Sequence, residues 1–270
     1  MTERICHLIA TIRPVAGAWF YKAFPQAAPN DDWRLTLEKR FGGEVYYGPF
    51  SGMKIPRSLY GRLQLSELLG LYESCLHPVL SSLLNSSYQG VVVVGGNNGY
   101  YAAGLSYLLR PRKITVFEID ASYHPHILSW FEINRMPKPE VRDLACAQTM
   151  ADWNGPADLL FVDCEGAELE LLDPGRYPWQ KEADLVVEVH PFYVDGVVGE
   201  IAQRFRETHT VELVYDDFQE DKKIATILEG ANIRAAYPRH PTHRWIERAG
   251  ERVLTAGSFL ILRRRPRRPA

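Results

Sequence analysis

The sequence is poor in cysteine, and its four cysteines are scattered along the chain. They are Cys6, Cys75, Cys146 and Cys164, and none of them forms a C-x-x-C pair. This spacing excludes a zinc knuckle and a disulfide framework. We therefore expect reduced thiols, as in cytoplasmic proteins.

Long apolar runs are also missing. No uninterrupted apolar stretch reaches the ~20 residues that a membrane-spanning helix needs. Arg13 interrupts the apolar patch of residues 7–12, and no clear small-residue cleavage site follows it. We therefore predict no signal peptide, no membrane partner and a cytoplasmic location.

Neither sign of charge predominates. The chain has 33 acidic and 31 basic residues, which gives a net charge of −2. This balance disfavours nucleic acid and anionic membranes as partners. The arginine-rich residues 263–270 are a local exception, which we interpret as a solvated tail, with a nucleic-acid patch as the alternative.

The length of 270 residues, 46% of them hydrophobic, suits one large α/β domain with a small appendage. We assign residues 1–60 to an N-terminal cap made of a helix and a β-hairpin, the hairpin lying at residues 44–56. This cap offers a surface for a homodimer. Residues 61–262 form the main domain. It opens with helical apolar spacing over residues 63–84, which Pro78 breaks or kinks, and a helix is expected to resume over residues 79–84.

One stretch organises the main domain: four consecutive valines, residues 91–94, run into the turn Gly95-Gly96-Asn97-Asn98-Gly99. A run without polar alternation is typical of a strand that is buried on both faces in a parallel sheet. The glycines remove the Cβ atoms that would keep a ligand from the backbone. A helix that begins near residue 102 adds unpaired N–H groups at the same place. This pattern predicts a nucleotide-type cofactor site.

The second strand, residues 113–118, ends in Glu118, which lies 19 positions after Gly99. A carboxylate at about this distance from a glycine turn holds the hydroxyl pair of a ribose. Asp120 is expected to cap the following helix, and the loop at residues 146–148 is expected beside the adenine. The predicted cofactor-binding residues are Glu73, Gly95, Gly96, Asn97, Gly99, Tyr100, Tyr101, Glu118, Ile119, Ala147 and Asp163.

The glycine spacing distinguishes between cofactors. A nicotinamide site needs G-x-G-x-x-G, which the glycines at 95, 96 and 99 do not supply, and no G-K-[ST] follows as in a P-loop. A single G-x-x-x-G turn followed by an acid suits S-adenosylmethionine (SAM), which has no pyrophosphate to bind.

A second group of residues points to chemistry. Asp163, Glu165 and Glu168 follow one buried strand, and Glu188 and His190 follow the next. Ligands of open α/β sheets lie outside the carboxyl ends of the strands. We therefore expect these five ionisable groups to converge.

These stretches resemble the FkbM-type class I SAM-dependent methyltransferases. The resemblance rests on residues 94–101, on Phe117-Glu118, on residues 163–168 and on residues 187–190, and it covers roughly residues 65–215. It implies a Rossmann-like, seven-stranded, mostly parallel sheet with an antiparallel last strand, here Ser258 to Leu262. It also implies methyl transfer, usually to a hydroxyl oxygen of a sugar or secondary metabolite. Asn97-Asn98 departs from the small-then-acidic pair expected in the turn.

Two versions of the reaction remain open. In the first, His190 is the general base for the acceptor, and Asp163 or Glu188 orients its ring. In the second, Asp163, Glu165, Glu188 and His190 bind a divalent cation, either Mg²⁺ or a transition metal. The acceptor is expected to be a small molecule. Transfer to nitrogen, RNA methylation and a non-catalytic cofactor-binding relative are the alternatives.

Overall fold

The computed structural model describes residues 37–233, 245–248, 251–254 and 257–265. The chain divides into two compact units, residues 1–74 with 217–242 and residues 75–216 with 243–270. The helix predicted at the start of the chain and the last residues of the basic tail lie outside the described residues.

The second unit contains a seven-stranded sheet in the order β3-β2-β1-β4-β5-β9-β6. Six strands run in one direction, and β9 runs antiparallel between β5 and β6. β7 and β8 form a separate antiparallel pair. The strands are β1 Gly90–Val94, β2 Lys113–Phe117, β3 Glu140–Arg142, β4 Leu159–Val162, β5 Asp184–Glu188, β6 His209–Tyr215, β7 Trp245–Arg248, β8 Glu251–Leu254 and β9 Ser258–Arg264. The predicted α/β sheet with an antiparallel last strand is confirmed.

The three central strands β1, β4 and β5 are buried along their whole length. Their valine-rich and leucine-rich runs have no polar face because helices cover both sides of the sheet. The edge strand β6 is mostly exposed, and its side chains are accordingly mixed.

Among the described residues, eight α-helices have both ends defined. They are α1 Leu65–Leu69, α2 His77–Leu83, α3 Tyr100–Leu109, α4 His124–Ile133, α5 Ala147–Ala151, α6 Glu168–Leu171, α7 Val197–Phe205 and α8 Glu220–Gly230. Short 3₁₀ helices lie at Arg57–Leu59, Ser74–Leu76, Ala121–Tyr123 and Pro178–Glu182. No helix in the described ranges has the length and apolar character needed to cross a membrane.

The helix expected over residues 79–84 is present as α2, but the break before it was predicted at the wrong residue. α1 ends at Gly70, whose φ of 73° closes the helix in the left-handed conformation. Pro78 does not break a helix but lies in the first turn of α2, where its missing N–H costs nothing.

The hairpin predicted at residues 44–56 is reduced to one isolated bridge between Glu44 and Lys54. Val45 N–H donates to the Met53 carbonyl at 2.8 Å, so the chain does fold back there. Gly48 takes a positive φ of 78°, which turns the chain away from a regular ladder.

The end of strand β9 contacts the buried carboxylate of Asp184 in β5. Tyr88 Oη donates to Asp184 Oδ2 at 2.8 Å, and the Arg264 backbone N–H donates to Oδ1 at 2.9 Å. Arg263 lies 3.6 Å from the same carboxylate. Arg263 and Arg264, which the sequence analysis placed in a tail, are therefore the end of a strand.

Candidate active site

The glycine turn follows β1 and packs directly on the end of β4. Gly95 has a φ of 88°, and its N–H and that of Gly96 both donate to the Phe117 carbonyl at 3.0 Å. A Cβ on Gly95 would lie 1.8 Å from the Asp163 carbonyl oxygen, and a Cβ on Gly96 would lie 2.6 Å from a Val116 methyl group. Glycine is therefore required at both positions by the packing of the chain itself.

Helix α3 begins directly after the turn, two residues earlier than expected. Asn98 Oδ1 accepts a hydrogen bond from Tyr100 N–H at 2.9 Å, and Trp130 Nε1 donates to the Asn98 carbonyl at 3.1 Å. Asn98, one of the two asparagines that depart from the expected pattern, thus lies just before the N-cap Gly99, and its side chain satisfies the first N–H of the helix.

The two tyrosines of the predicted cofactor set pack on neighbouring rings. Tyr100 is buried, with its ring 6.4 Å from that of Trp130. Tyr101 is half-buried, with its ring 4.4 Å from that of Phe161.

Glu118 lies against the glycine turn, as its position after β2 predicts. Its Oε2 accepts from Asn97 N–H at 2.6 Å, and its Oε1 accepts from Asp120 N–H at 2.8 Å. The side chain of Asp120 accepts from Ser122 N–H, which is the predicted cap. Ile119 is half-buried beside Glu118. A carboxylate has about four acceptor positions, so Glu118 retains acceptor capacity for further donors.

The loop predicted at residues 146–148 is instead the first turn of α5. Thr149 Oγ1 accepts from Cys146 N–H at 2.8 Å and closes this turn. Ala147 is half-buried against the hydrophobic core. Glu73 is buried with a φ of 47°, and it belongs to the first unit, whereas the other predicted site residues belong to the second.

The five predicted ionisable groups converge on His190. Its Nε2 lies 3.7 Å from Asp163 Oδ1, 3.6 Å from Glu165 Oε2 and 4.0 Å from Glu188 Oε1. Its Nδ1 lies 2.6 Å from Glu168 Oε1. A sharp turn at Glu165, with a φ of 54°, and Gly166, with a φ of 106°, brings the acids after β4 back towards the end of β5.

Glu168 holds the imidazole ring, a role that the sequence analysis gave to Asp163 or Glu188. The side chain of Glu168 is fully buried, and its Oε1 also accepts from Gly166 N–H at 3.1 Å. Glu168 also lies in the first turn of α6, where a carboxylate stabilises a helix N-terminus, so the sequence alone does not identify it as the partner of His190.

The acids around His190 favour the protonated form of its ring. Burial by itself would lower the pKa of the ring, but the hydrogen bond to Glu168 and the negative charges of Glu188 and Asp163 outweigh it. The pKa of His190 is raised to about 10. Burial, followed by repulsion from Asp163, raises the pKa of Glu188, whose Oε1 accepts from Gly257 N–H at 2.9 Å.

Three of these residues have the arrangement of metal ligands. Asp163, Glu165 and His190 each present one ligand atom, and the three atoms lie within 4.8 Å of one another. Cys164 stands between the two acids in sequence but packs against the hydrophobic core, and burial raises the pKa of its thiol.

Aromatic residues follow His190 along the chain. The Tyr193 ring is 6.0 Å from the imidazole and 5.1 Å from the Phe192 ring, and 44% of Tyr193 is exposed. A Cβ on Gly166 would lie 3.0 Å from Tyr193 Cβ, so the turn and the aromatic pair are in contact. An exposed ring beside the ionisable cluster is a surface on which an acceptor can stack.

No model of a protein family matches the sequence, and no curated protein matches it. The fold is similar to solved structures of methyltransferases. An O-methyltransferase of tomaymycin synthesis from Streptomyces achromogenes, in complex with SAM, has 14% identity and a TM-score of 0.44 over 69% of this chain and 79% of that chain. A precorrin-6y C5,15-methyltransferase from Geobacter metallireducens has 11% identity and a TM-score of 0.41 over 69% and 87%.

An rRNA methylase from Streptococcus thermophilus has 12% identity and a TM-score of 0.42 over 69% of this chain and 93% of that chain. Identities and TM-scores this low do not assign an activity or an acceptor. Function is therefore inferred from the residues of this chain.

Proposed function

We propose that this chain is a SAM-dependent methyltransferase acting on a hydroxyl oxygen of a small molecule. One observation carries the proposal: the glycine turn, Glu118 and Asp163 meet at the carboxyl ends of β1, β2 and β4. The strand order reverses between β1 and β4, and such a switch point is where open α/β sheets bind their ligands. The antiparallel β9 matches the sheet implied by the resemblance to the FkbM-type enzymes, and we extend the proposal to that family.

The residues of the turn have the chemistry that a nucleoside needs. Glu118 is fixed by two backbone N–H groups and can accept from the two hydroxyls of a ribose. The glycines at 95, 96 and 99 let the turn pack against Asp163, Val116 and Ile127, which holds the turn backbone beside Glu118. When bound, SAM supplies an activated methyl group and its leaving group, so the protein mainly aligns the acceptor.

Asp163 contacts both parts of the proposed site: the glycine turn, where SAM would bind, and His190, where the acceptor would lie. Its backbone packs against Gly95, and its side chain points to His190 at 3.7 Å. Its buried Oδ1 has no hydrogen-bond partner among the described residues. An acceptor hydroxyl can therefore donate to this oxygen.

The general-base hypothesis for His190 needs a neutral ring. The hydrogen bond to Glu168 and the neighbouring acids raise the pKa of His190, which favours the doubly protonated ring and makes it a poorer general base. Its positive charge then balances the surrounding acids and orients Asp163 instead of accepting a proton. We therefore favour Asp163 over His190 as the group that accepts the hydroxyl hydrogen when no cation is bound.

Isothermal titration calorimetry of the full chain with SAM and S-adenosylhomocysteine tests the proposal. Hydrogen bonds to a charged group contribute about 1.5–3 kcal/mol, so Glu118→Ala should weaken binding by about 10–100-fold. Glu132→Ala, which removes an exposed acid of α4, is the matched control and should bind normally.

Transfer of radiolabelled methyl from SAM to a panel of polyhydroxylated small molecules tests the reaction. Labelled ether products are the expected result. Failure of the full chain to bind either nucleoside would contradict the proposed function. Tight binding of SAM with no transfer to any hydroxyl, amine or RNA acceptor would favour a non-catalytic relative.

A further inference from the structure

We propose that Asp163, Glu165 and His190 bind one divalent cation, and that Glu168 positions His190 for it. The cation site itself does not depend on SAM, whereas its part in methyl transfer rests on the proposed function.

The separations of the ligand atoms suit a shared ion. Metal–ligand distances near 2.1 Å place neighbouring ligand atoms about 3.0 Å apart at a right angle and about 3.4 Å apart at a tetrahedral angle. His190 Nε2 lies 3.6 Å from Glu165 Oε2 and 3.7 Å from Asp163 Oδ1. These distances are too long for hydrogen bonds, and all three ligand atoms lie within 4.8 Å of one another, so side-chain adjustments would bring them to coordination distance.

The second ring nitrogen of His190, Nδ1, is hydrogen-bonded to a carboxylate, as is typical of metal-binding histidines. His190 Nδ1 donates to Glu168 Oε1 at 2.6 Å, and the same oxygen accepts from Gly166 N–H. A carboxylate on the far nitrogen fixes the ring orientation and directs the near nitrogen at the metal. Only 2% of His190 is exposed, so Nε2 has little access to water and points into the cluster.

One buried atom of the cluster has no hydrogen-bond partner. Asp163 Oδ1 is buried and accepts no hydrogen bond from any residue the structure describes, and it lies 3.7 Å from His190 Nε2. Buried polar atoms normally have partners, and a cation between Asp163 and His190 would supply one.

The charge of the cluster points the same way. Among the described residues, the carboxyl groups of Asp163, Glu165 and Glu168 lie within 4 Å of a single imidazole, so acidic groups outnumber basic ones there. Glu188 is 4.0 Å from Nε2 and already accepts from Gly257 N–H, so it is not counted among the ligands.

The ligand types select the kind of ion. One imidazole with two carboxylates suits a first-row transition ion such as Mn²⁺ better than Ca²⁺, which prefers a set of oxygen ligands alone. Three protein ligands leave coordination positions open for water or an acceptor hydroxyl. An ion there would lower the pKa of that hydroxyl. In the transfer, the acceptor hydroxyl would lose its proton to water, and the hydroxyl oxygen would form a bond to the methyl carbon of SAM. The C–S bond would break, and its electron pair would stay on sulfur.

Titration of the chelator-treated full chain with Mn²⁺, followed by electron paramagnetic resonance of the free ion, tests the site. We expect one bound Mn²⁺ for each chain. Asp163→Asn, Glu165→Gln and His190→Gln should each weaken binding by more than tenfold. Glu168→Gln should weaken it by about 10–100-fold, as is typical when a residue behind a ligand is changed, and Glu168→Asp should recover part of the loss.

Glu170→Gln is the matched control, because this acid lies on the same short helix outside the cluster and should leave Mn²⁺ binding unchanged. Circular dichroism of each variant separates unfolding from loss of the site, and the titration of the unaltered chain does not depend on any variant. Absence of Mn²⁺ binding by that chain would overturn the cation site, whether or not calorimetry shows SAM binding. Mn²⁺ binding without SAM binding would keep the cation site and overturn the proposed function.

Discussion

Replacing Gly95 with alanine should destabilise the protein much more than the same replacement at Gly196. Both glycines have a left-handed backbone, with φ of 88° and 74°, and an L-residue there costs about 1–2 kcal/mol. Only Gly95 is enclosed: its Cβ would lie 1.8 Å from the Asp163 carbonyl oxygen, whereas a Cβ at Gly196 would meet nothing within 4 Å.

The extra cost at Gly95 comes from moving backbone, since the obstructing atom is the main-chain oxygen at the end of β4. Forcing atoms into a packed region typically costs about 1–3 kcal/mol more. We therefore expect a loss of about 2–5 kcal/mol for Gly95→Ala and about 1–2 kcal/mol for Gly196→Ala. In a chain of this size each kcal/mol lowers the melting temperature by about 2–4 °C.

Urea denaturation followed by tryptophan fluorescence, with thermal melting as a second measurement, gives both free energies of unfolding. Calorimetry with SAM on the folded fraction then reports whether the turn still presents its backbone to the nucleoside. Equal losses for the two variants would refute the close packing of the glycine turn on β4, on which the placement of Asp163 depends.

Two other changes test the framework of the site. Tyr88→Phe removes the donor to the buried carboxylate of Asp184 and should lower the free energy of unfolding by about 1–3 kcal/mol; an unchanged urea midpoint would contradict this. Burial and the hydrogen bond to Asp184 raise the pKa of Tyr88 from 10.0 to about 12. The unfolded chain therefore loses this proton first, stability should fall as the pH rises from 10 towards 12, and Tyr88→Phe should reduce that fall. Asn98→Ala removes the hydrogen bond to Tyr100 N–H at the start of α3 and should cost about 1 kcal/mol, with faster amide hydrogen exchange at Tyr100; Asn85→Ala, at an exposed site, is the control, and equal exchange in both variants would count against this hydrogen bond.

The central sheet could be predicted because its strands are buried on both faces. Residues 91–94, 159–162 and 184–188 show no polar alternation, and burial of both faces is the physical cause of that pattern. Once β4 and β5 are recognised as neighbours, the convergence of Asp163 and His190 follows, because the carboxyl ends of parallel strands share one edge.

Local backbone geometry was harder to predict than strand burial. The helical apolar spacing continues past Gly70, through Leu65, Leu68, Leu69 and Leu76. Periodicity alone therefore does not predict that the helix ends at Gly70. The partner of His190 Nδ1 could not be chosen from the sequence either. It depends on positive φ values at Glu165 and Gly166, which turn Glu168 towards the ring.

The place of β9 in the sheet also lies beyond what apolar patterning can predict. Ser258 to Leu262 is a good strand by composition, but its insertion between β5 and β6 depends on pairing with distant segments. The resemblance to a known family supplied the antiparallel direction, and the structure has it.

The most direct test of the account is a crystal structure of the full chain with S-adenosylhomocysteine. We expect the ribose hydroxyls within hydrogen-bond distance of Glu118, the backbone of residues 95–99 against the ligand, and the sulfur on the side of Asp163 and His190. A nucleoside bound elsewhere, or one whose sulfur points away from that cluster, would contradict the proposed function.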